Sequence, residues 1–427
     1  MIKPELQRPT GTQDILAPQS WRVEKFRRIA LDVAKSYGFD LIETPIFEQS
    51  GVFLKVGEST DIVQHERYAF TDAGGDDLTL RPEGTAAVAR AYIQNGLYNL
   101  PKPLKLIYWG PMFRRERPQA ERYRQHTQFG AELYGSEAPL ADIEIILLAC
   151  RVVERAGLQE PDVRINSIGC NHCRPAYRKA LVDYYAARRT ELCQDCQSRL
   201  NKNPLRLLDC KVDVAIKDAA PDLGTFWCDA CRSHIEAVMN GIAVTGRPVR
   251  RDPFLVRGLD YYTRTVFEVG HPSLGQNTAL FGGGRYDGLT GALGGADAPA
   301  VGFGMGIERM LSAIGPSLIA DNQPGVYVAN LPGFQMEAIR LAESLRAEGF
   351  SADYDLVGRS LKAQLRDASR RSAIVVMIGG EEWDRGVVEV KSFATGEQQA
   401  IGRHDLENYL RHHLESGNHP GDGGITA

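Results

Sequence analysis

The sequence predicts an α+β fold, with an antiparallel sheet and a helical insertion in residues 1–324 and a separate α/β domain in residues 325–427. One observation is a pair of strand-like runs at residues 104–113 and 128–134, which suggest an antiparallel hairpin. Another is the change near Pro324, after which strand-like and helix-like segments alternate. A chain of 427 residues is also longer than one hydrophobic core usually organises, so two or three domains are expected.

The chain opens with a predicted helix and a short strand. Apolar residues recur at the spacing of one helix face at Phe26, Ile29, Ala30, Val33 and Tyr37. Gly38 then provides a place for the helix to end. The extended run at residues 39–44 ends at Pro45, and proline in this position favours an edge or an interface over the centre of a sheet.

The connection between the two hairpin strands is rich in arginine. Five guanidinium groups fall at Arg114, Arg115, Arg117, Arg122 and Arg124. Such groups are not buried without partners, so the loop is expected either to be solvated or to bind an anion.

Residues 170–245 predict an inserted helical subdomain that contains three C-x-x-C pairs. The pairs are Cys170/Cys173, Cys193/Cys196 and Cys228/Cys231. The N-terminus has no secretory pattern, so a disulfide scaffold is not expected. The spacing of the first two pairs suits a four-cysteine zinc site, and reduced thiols without metal are the alternative.

Two glycine-rich segments, at residues 281–288 and 301–306, are interpreted as turns. Neither completes the dinucleotide fingerprint or the P-loop pattern. If ATP binds this chain, we expect it to bind outside a Rossmann or Walker site.

Composition narrows the classes of partner. The net charge is −4 although Lys and Arg number 50, which excludes a generally basic surface and permits a local basic patch. No apolar run has the length of a membrane span. We therefore expect a cytoplasmic protein that does not bind a membrane.

Three arginines carry the strongest chemical signal. Arg114 ends a predicted strand, Arg257 lies in RGLDYYTRTVFE, and Arg309 lies in the first turn of a predicted helix. A guanidinium group is always charged and matches the geometry of phosphate. Together they could hold a triphosphate from different sides, whereas each alone could equally be an ion-paired surface residue.

Four segments together resemble the histidyl-tRNA synthetase family. TLRPEGT (79–85) resembles its amino-acid-binding loop, and RGLDYYTRTVFE (257–268) looks like its histidine-specific motif. FRRERPQAERYRQHTQFGAE (113–132) is similar to class II motif 2, and GFGMGIERM (302–310) to motif 3. The opening helix, strand and proline fit motif 1, and the resemblance extends from about residue 8 to about residue 401.

The resemblance implies a class II catalytic domain in residues 1–324 and an anticodon-binding domain in residues 325–427. It implies six residues that bind histidine: Glu83, Thr85, Gln128, Glu132, Tyr261 and Tyr262. Glu83, helped by Thr85 and Gln128, would meet the α-ammonium group. Glu132 and Tyr262 would bond the two imidazole nitrogens, with Tyr261 beside them.

The remaining roles are implied in the same way. Arg114 and Arg257 would be catalytic and would bind ATP at its α-phosphate, and Arg309 would bind the γ-phosphate. Arg117 and Gln119 would face the acceptor end of tRNA. The implied cofactors are ATP and Mg²⁺, and no residue is assigned as a metal ligand. The implied partners are L-histidine, histidine tRNA and a second copy of the chain in a homodimer, without DNA.

The last domain contains a row of basic residues at the spacing of one helix face: Arg359, Lys362, Arg366 and Arg370. Arg371 lies beside this row. This predicted basic face could follow RNA phosphates or simply be solvated.

The chain departs from the family pattern at Glu121 and at His126-Thr127, and neither departure removes one of the implied ligands. A regulatory subunit of histidine biosynthesis, which shares the catalytic fold, is the alternative function. Such relatives typically lack the C-terminal domain and the arginine corresponding to Arg257, both of which are present here.

Overall fold

The structure, a computed structural model, describes residues 6–55, 66–115, 123–258, 261–271, 279–318 and 325–415. The chain divides into two compact units, Met1–Ala320 and Asp321–Ala427, which are called the N-terminal and C-terminal units below.

The strands and helices of the N-terminal unit are defined as follows. Its strands are β1 Asp40–Leu41, β2 Phe47–Gln49, β3 Tyr68–Thr71, β4 Asp77–Leu80, β5 Leu104–Phe113, β6 Gln125–Tyr134, β7 Asp162–Ser167, β8 Val249–Arg251, β9 Thr263–Gly270, β10 Ala279–Arg285 and β11 Ala300–Gly306. Its helices are α1 Gln19–Ser36, α2 Gly51–Leu54, α3 Thr85–Gln94, α4 Pro139–Arg155, α5 Arg174–Ala186, α6 Gln194–Lys202, α7 Val214–Asp218, α8 Asp229–Ala243, α9 Leu289–Ala292 and α10 Ile307–Ile314.

Among the described residues, eight strands form the main sheet in the order β1-β5-β6-β11-β10-β9-β7-β8. All inner pairs are antiparallel, and the pairs at the two ends, β1 with β5 and β7 with β8, are parallel. Strands β5 and β6 pair without a break from Leu104 opposite Tyr134 to Phe113 opposite Gln125. The predicted hairpin and the predicted α+β class are therefore confirmed.

The opening helix also agrees with the prediction. Helix α1 buries Phe26, Ala30 and Val33, and the chain reverses at Gly38, whose φ of +74° favours glycine. The strand that follows is short and lies at the edge of the sheet. One face of the sheet packs against α1, α4 and α8 through a continuous apolar cluster.

The glycine-rich segments were predicted to be turns, and this prediction is wrong except at residues 287–288, which do form a turn. Residues 281–285 belong to β10 and residues 301–306 to β11, the two neighbouring strands at the middle of the sheet. Glycine is a poor strand former because it has no side chain to pack. These glycines instead leave space for side chains of the adjacent strands and loops, as described below.

The predicted helical insertion is present between β7 and β8. Its helices are α5, α6, α7 and α8, joined by short 3₁₀ turns. The tyrosines Tyr177 and Tyr185 and the aliphatic residues Leu181 and Leu200 form its buried interior.

The C-terminal unit is an α/β domain. Its strands are β12 Val326–Asn330, β13 Ala352–Tyr354, β14 Ile374–Ile378, β15 Val387–Ser392 and β16 Gln398–Gly402. Its helices are α11 Gln335–Ala347, α12 Leu361–Arg371, α13 Gly380–Asp384 and α14 Leu406–Glu415. The five described strands follow the order β13-β12-β14-β15-β16, with apolar clusters on both faces.

The basic face of this unit is smaller than predicted. Arg359 precedes α12 and pairs with Asp355 and Asp367, so it does not continue the helical row. Lys362, Arg366 and Arg370 remain as exposed cations on α12.

In the described part of the chain, no helix combines the length and the apolar character needed to cross a membrane.

Candidate active site

A cavity of about 510 Å³ opens on the face of the main sheet that is not covered by α1 and α4. Eight of the predicted site residues line it: Glu83, Thr85, Arg114, Gln128, Arg257, Tyr261, Tyr262 and Arg309. They come from strands and loops that are far apart in sequence, so the fold brings the separate motifs into one site.

Glu83 lies at the start of α3, where the helix exposes unpaired backbone N–H groups. Its carboxylate accepts a bond of 2.6 Å from the Thr85 backbone N–H and one of 2.9 Å from that of Ala86. Burial raises the pKa of Glu83, and these backbone donors oppose the shift. The carboxylate is thus fixed at the wall of the cavity by the helix N-terminus.

Glu132 is fully buried and does not itself line the cavity, but it is hydrogen-bonded to Thr85, which does. Its two oxygens accept bonds from the hydroxyl groups of Thr85, at 2.7 Å, and of Tyr286. Burial raises the pKa of Glu132 to about 8, although both hydroxyl groups lower it. Burial therefore favours the protonated form of this carboxyl group.

Gln128, on the same strand as Glu132, is held by a backbone N–H and a phenol hydroxyl group. Its Oε1 accepts bonds of 3.1 Å from the Gly84 backbone N–H and from the Tyr108 hydroxyl group. Its Nε2 lies against Gly304 of β11, where an added Cβ would come within 2.5 Å.

The central glycines create the room that these side chains occupy. A Cβ on Gly302 would collide with the Glu132 carboxylate, and one on Gly282 would lie 2.5 Å from a guanidinium nitrogen of Arg257. Any larger residue at these positions would displace the polar groups of the site.

Aromatic rings form one wall of the cavity. The rings of Tyr261 and Tyr262 have centroids 4.6 Å apart, and Tyr261 lies edge-on to Tyr286 at 5.5 Å. Burial raises the pKa values of all three phenols, so each keeps its proton and can donate a hydrogen bond. The carbonyl oxygen of Tyr262 accepts a bond of 2.9 Å from Arg174 at the start of the insertion.

Each of the three arginines is anchored by the protein. Arg257 pairs with Glu268 at 2.7 Å, and its buried Nε has no hydrogen-bond partner among the described residues. Arg114 donates to the Pro82 carbonyl oxygen at 2.9 Å. Arg309 donates to the carbonyl oxygen of Ala279 at 3.0 Å. The guanidinium groups thus approach the cavity from three separate elements.

Other charged groups line the same cavity. Glu66, Glu268 and Glu308 provide carboxylates, and Glu308 accepts a bond of 2.8 Å from the Thr127 backbone N–H. His126 is kept neutral, because burial and the nearby charge of Arg114 lower its pKa to about 3.

The predicted tRNA-facing residues Arg117 and Gln119, together with Glu121, lie outside the described residues. His126 and Thr127 belong to β6 and keep the regular pairing with β5. This departure from the family pattern is thus accommodated without a break in the hairpin.

Three further residues orient the site: Tyr286 contacts Glu132, Tyr108 contacts Gln128 and Glu268 contacts Arg257. None of the three was predicted from the sequence to have a role. Glu268 belongs to the RGLDYYTRTVFE segment, so its proximity to the site could have been predicted. Tyr286 lies within the segment 281–288 that was interpreted as a turn, and no signal in the sequence connected it with Glu132.

The cysteines group differently from the prediction. The pair at Cys170 and Cys173 does not meet the pair at residues 193 and 196, because it lies against Cys228 and Cys231 instead. The two grouped pairs mark the beginning and the end of the insertion, which the fold brings together. A second cluster contains Cys193, Cys196, Cys210 and Asp213.

Comparison with known proteins identifies the family. The family model described as histidyl-tRNA synthetase matches residues 11–310, and an anticodon-binding domain matches residues 325–413. The chain belongs to the histidyl-tRNA synthetase family. A curated relative from Desulforamulus reducens, named histidine–tRNA ligase, is 43% identical over 95% of this chain and 98% of the relative.

Solved structures agree with membership in the histidyl-tRNA synthetase family. The histidyl-tRNA synthetase of S. aureus is 34% identical, with a TM-score of 0.80 over 95% of this chain and all of that chain (100%). A structure from Bacillus halodurans, described as an ATP phosphoribosyltransferase regulatory subunit/histidyl-tRNA synthetase, is 25% identical, with a TM-score of 0.66 over 89% of this chain and 100% of its own. The fold alone therefore does not separate a synthetase from a regulatory relative, and the site residues become decisive.

Proposed function

We propose that the chain is a histidine–tRNA ligase, which activates L-histidine with ATP and transfers histidine to its tRNA, releasing AMP and pyrophosphate. The observation that carries this proposal is a single cavity in which buried carboxyl and phenol groups adjoin three arginines. The first set of groups suits an amino acid with a polar ring, and the second suits a triphosphate.

Histidine would bind on the side formed by Glu83, Glu132 and the tyrosines. Glu83 would meet the α-ammonium group, with Thr85 and Gln128 holding the adjacent wall. Glu132 and Tyr262 would bond the two imidazole nitrogens, and Tyr261 would pack beside the ring. A ligand without both polar edges would leave these buried groups unpaired, which favours histidine over side chains of similar shape.

ATP would bind along the arginines. Arg114 and Arg257 would contact the α-phosphate, where negative charge increases during the reaction, and Arg309 would contact the γ-phosphate. Because Glu268 and the Pro82 carbonyl already orient Arg257 and Arg114, little reorganisation is needed when the substrate arrives.

In the first step, a carboxylate oxygen of histidine would attack the α-phosphorus of ATP. A new oxygen–phosphorus bond forms, the bond to the bridging oxygen breaks, and pyrophosphate leaves with its electron pair. In the second step, a hydroxyl group of the terminal ribose of tRNA would attack the histidyl carbonyl carbon. The bond between that carbon and the phosphate oxygen breaks, AMP leaves with the electron pair, and the hydroxyl proton is released, so that histidine is joined to tRNA by an ester bond.

Mg²⁺ fits the composition of the cavity. The carboxylates of Glu66 and Glu308 line it, and oxygen atoms are the ligands that Mg²⁺ prefers. These residues, together with the phosphates of ATP, would hold the ion, which supplies neutralising charge when bound.

The remaining partners follow from the domains. The C-terminal unit would bind the anticodon part of histidine tRNA, and the loop with Arg117 and Gln119 would face its acceptor end. We further propose that the chain forms a homodimer, acts in the cytoplasm and does not bind DNA.

ATP–pyrophosphate exchange with each of the twenty amino acids tests this proposal. We expect histidine alone to support exchange well above background. Exchange at background with histidine would contradict the proposal and would favour a regulatory subunit without synthetase activity.

A further inference from the structure

We propose that Cys170, Cys173, Cys228 and Cys231 form a structural zinc centre that closes the base of the helical insertion. The four sulfur atoms lie within 4.8 Å of one another, although the two pairs are separated by most of the insertion. The pairs precede or begin two different helices, α5 and α8, so the fold itself assembles the cluster.

The distances between the sulfur atoms match those of a zinc thiolate centre. Cys170 Sγ lies 3.7 Å from Cys173 Sγ and 3.8 Å from Cys228 Sγ, and Cys173 Sγ lies 3.7 Å from Cys231 Sγ. Zinc–sulfur bonds of about 2.3 Å in a tetrahedron require sulfur–sulfur edges of about 3.8 Å. A disulfide would require a separation of about 2.05 Å, and all four cysteines are free.

The surroundings also suit a centre with excess negative charge. Four thiolates with one Zn²⁺ carry a net charge of −2, so groups that favour an anion would stabilise the centre. The cluster lies at the N-termini of α5 and α8, where the helix dipole stabilises anions. The backbone N–H of Cys170 points to Cys173 Sγ at 3.3 Å, as expected for a sulfur acceptor.

Four protein ligands would leave no position open for a substrate, so the centre would be structural. The centre would connect the loop after β7 to the start of α8 and so stabilise their relative positions. Trp227, directly before Cys228, donates to the Ser167 carbonyl oxygen at 2.9 Å. Arg174, directly after Cys173, reaches the carbonyl oxygen of Tyr262. Zinc would therefore fix the ends of the insertion beside the wall of the cavity.

Among the described residues, the cluster of Cys193, Cys196, Cys210 and Asp213 is a second group of thiols and carboxylate that could hold a zinc ion. Two double variants and one single variant of the chain separate the two locations. Cys170→Ser/Cys228→Ser disrupts the proposed centre, and Cys193→Ser/Cys210→Ser disrupts only the second cluster. Cys150→Ser, which removes a buried thiol outside both clusters, serves as the single-site control.

Zinc content per chain, measured by plasma mass spectrometry on protein purified without added metal, is the first readout. We expect Cys193→Ser/Cys210→Ser and Cys150→Ser to retain one zinc in the four-cysteine centre. Cys170→Ser/Cys228→Ser should contain one zinc fewer than the wild-type chain. An unchanged zinc content in that variant, or a wild-type chain without zinc, would overturn the proposal.

X-ray absorption of the Cys193→Ser/Cys210→Ser protein keeps the test decisive if the other double variant does not fold. We expect four sulfur neighbours at about 2.3 Å from zinc. A first shell that contains oxygen or nitrogen, or the absence of zinc from this protein, would contradict a four-cysteine centre.

Discussion

At the scale of single residues, the site depends on polar groups whose ordinary charge is altered by burial. Glu132 is the extreme case, because it has no exposed surface and its pKa is raised from 4.5 to about 8. Two hydroxyl donors compensate only part of the cost of burial. A buried carboxyl group with a strongly raised pKa beside a cavity is typical of a functional site.

Replacement of Glu132 by Gln should weaken the binding of histidine selectively. The amide keeps the size of the side chain but cannot reproduce both protonation states of the carboxyl group. We expect the KM for histidine to rise by roughly 100-fold in pyrophosphate exchange, with little change in the KM for ATP. Equal increases in both KM values would argue against a direct role in histidine recognition.

The same variant should change how stability depends on pH. The folded-state pKa of Glu132 lies above the unfolded value of 4.5, so its stabilising contribution is complete below pH 4.5 and is lost as the pH rises towards about 8. Gln cannot ionise, so the stability of Glu132→Gln relative to the wild-type chain should increase between pH 5 and pH 8. Urea unfolding across this range measures the difference, and a difference that stays constant would show that Glu132 does not titrate in this way.

Arg257 should act on the reaction rather than on the fold. We expect Arg257→Ala to lower the rate of adenylate formation by roughly 10²–10³-fold, because it removes a preorganised positive charge from the cavity. Arg250→Ala is the control, since Arg250 is a mostly exposed arginine of the same sheet that pairs with Asp162. Circular dichroism should be unchanged in both proteins, and a near-normal rate for Arg257→Ala would refute its role.

At the scale of elements, the sequence predicted the features that depend on local pattern. It did not predict the features that depend on contacts between distant segments. The hairpin of β5 and β6 follows from two apolar runs, and it places Gln128 and Glu132 on one strand. The glycines of β10 and β11 instead suggested turns. They are needed in these strands because side chains of neighbouring segments occupy the space that a Cβ would fill. Site residues in recognisable motifs could be named, whereas Tyr286 and the grouping of the cysteines required the fold.

The contact between the insertion and the cavity leads to a prediction at this scale. Arg174 donates to the carbonyl oxygens of Ile168, Gly169 and Tyr262, at 3.2, 3.0 and 2.9 Å, and so positions the segment that carries Tyr262. Hydrogen bonds from a charged donor contribute about 1.5–3 kcal/mol each. We expect Arg174→Ala to raise the KM for histidine about tenfold with a much smaller change in kcat.

Lys179→Ala provides the matched control for Arg174→Ala. Lys179 belongs to the same helix, is mostly exposed and pairs only at the surface, with Asp183. A general loosening of α5 would affect both variants in the same way. If Arg174→Ala left the KM for histidine unchanged, the contact with Tyr262 would have no positioning role.

At the scale of the whole molecule, the chain consists of two units with separate apolar cores. The described residues that line the candidate active site all belong to the N-terminal unit, and the C-terminal unit has its own sheet and clusters. The two steps of the proposed reaction should therefore respond differently to changes in the C-terminal unit, because only the second step needs tRNA.

Reversing charges on α12 tests this division in the full-length chain. Arg366 and Arg370 are exposed on one face of the helix, and basic side chains that neutralise phosphates make RNA binding sensitive to salt. We expect Arg366→Glu/Arg370→Glu to raise the KM for tRNA at least about tenfold in aminoacylation and to weaken its salt dependence. Pyrophosphate exchange with histidine should be unchanged.

Arg340→Glu/Arg385→Glu alters the net charge equally at two other exposed arginines of the same unit, so it separates a specific RNA contact from general repulsion. Equal losses in the two double variants would assign the effect to net charge alone, and unchanged aminoacylation in both would place the RNA contact elsewhere in the unit.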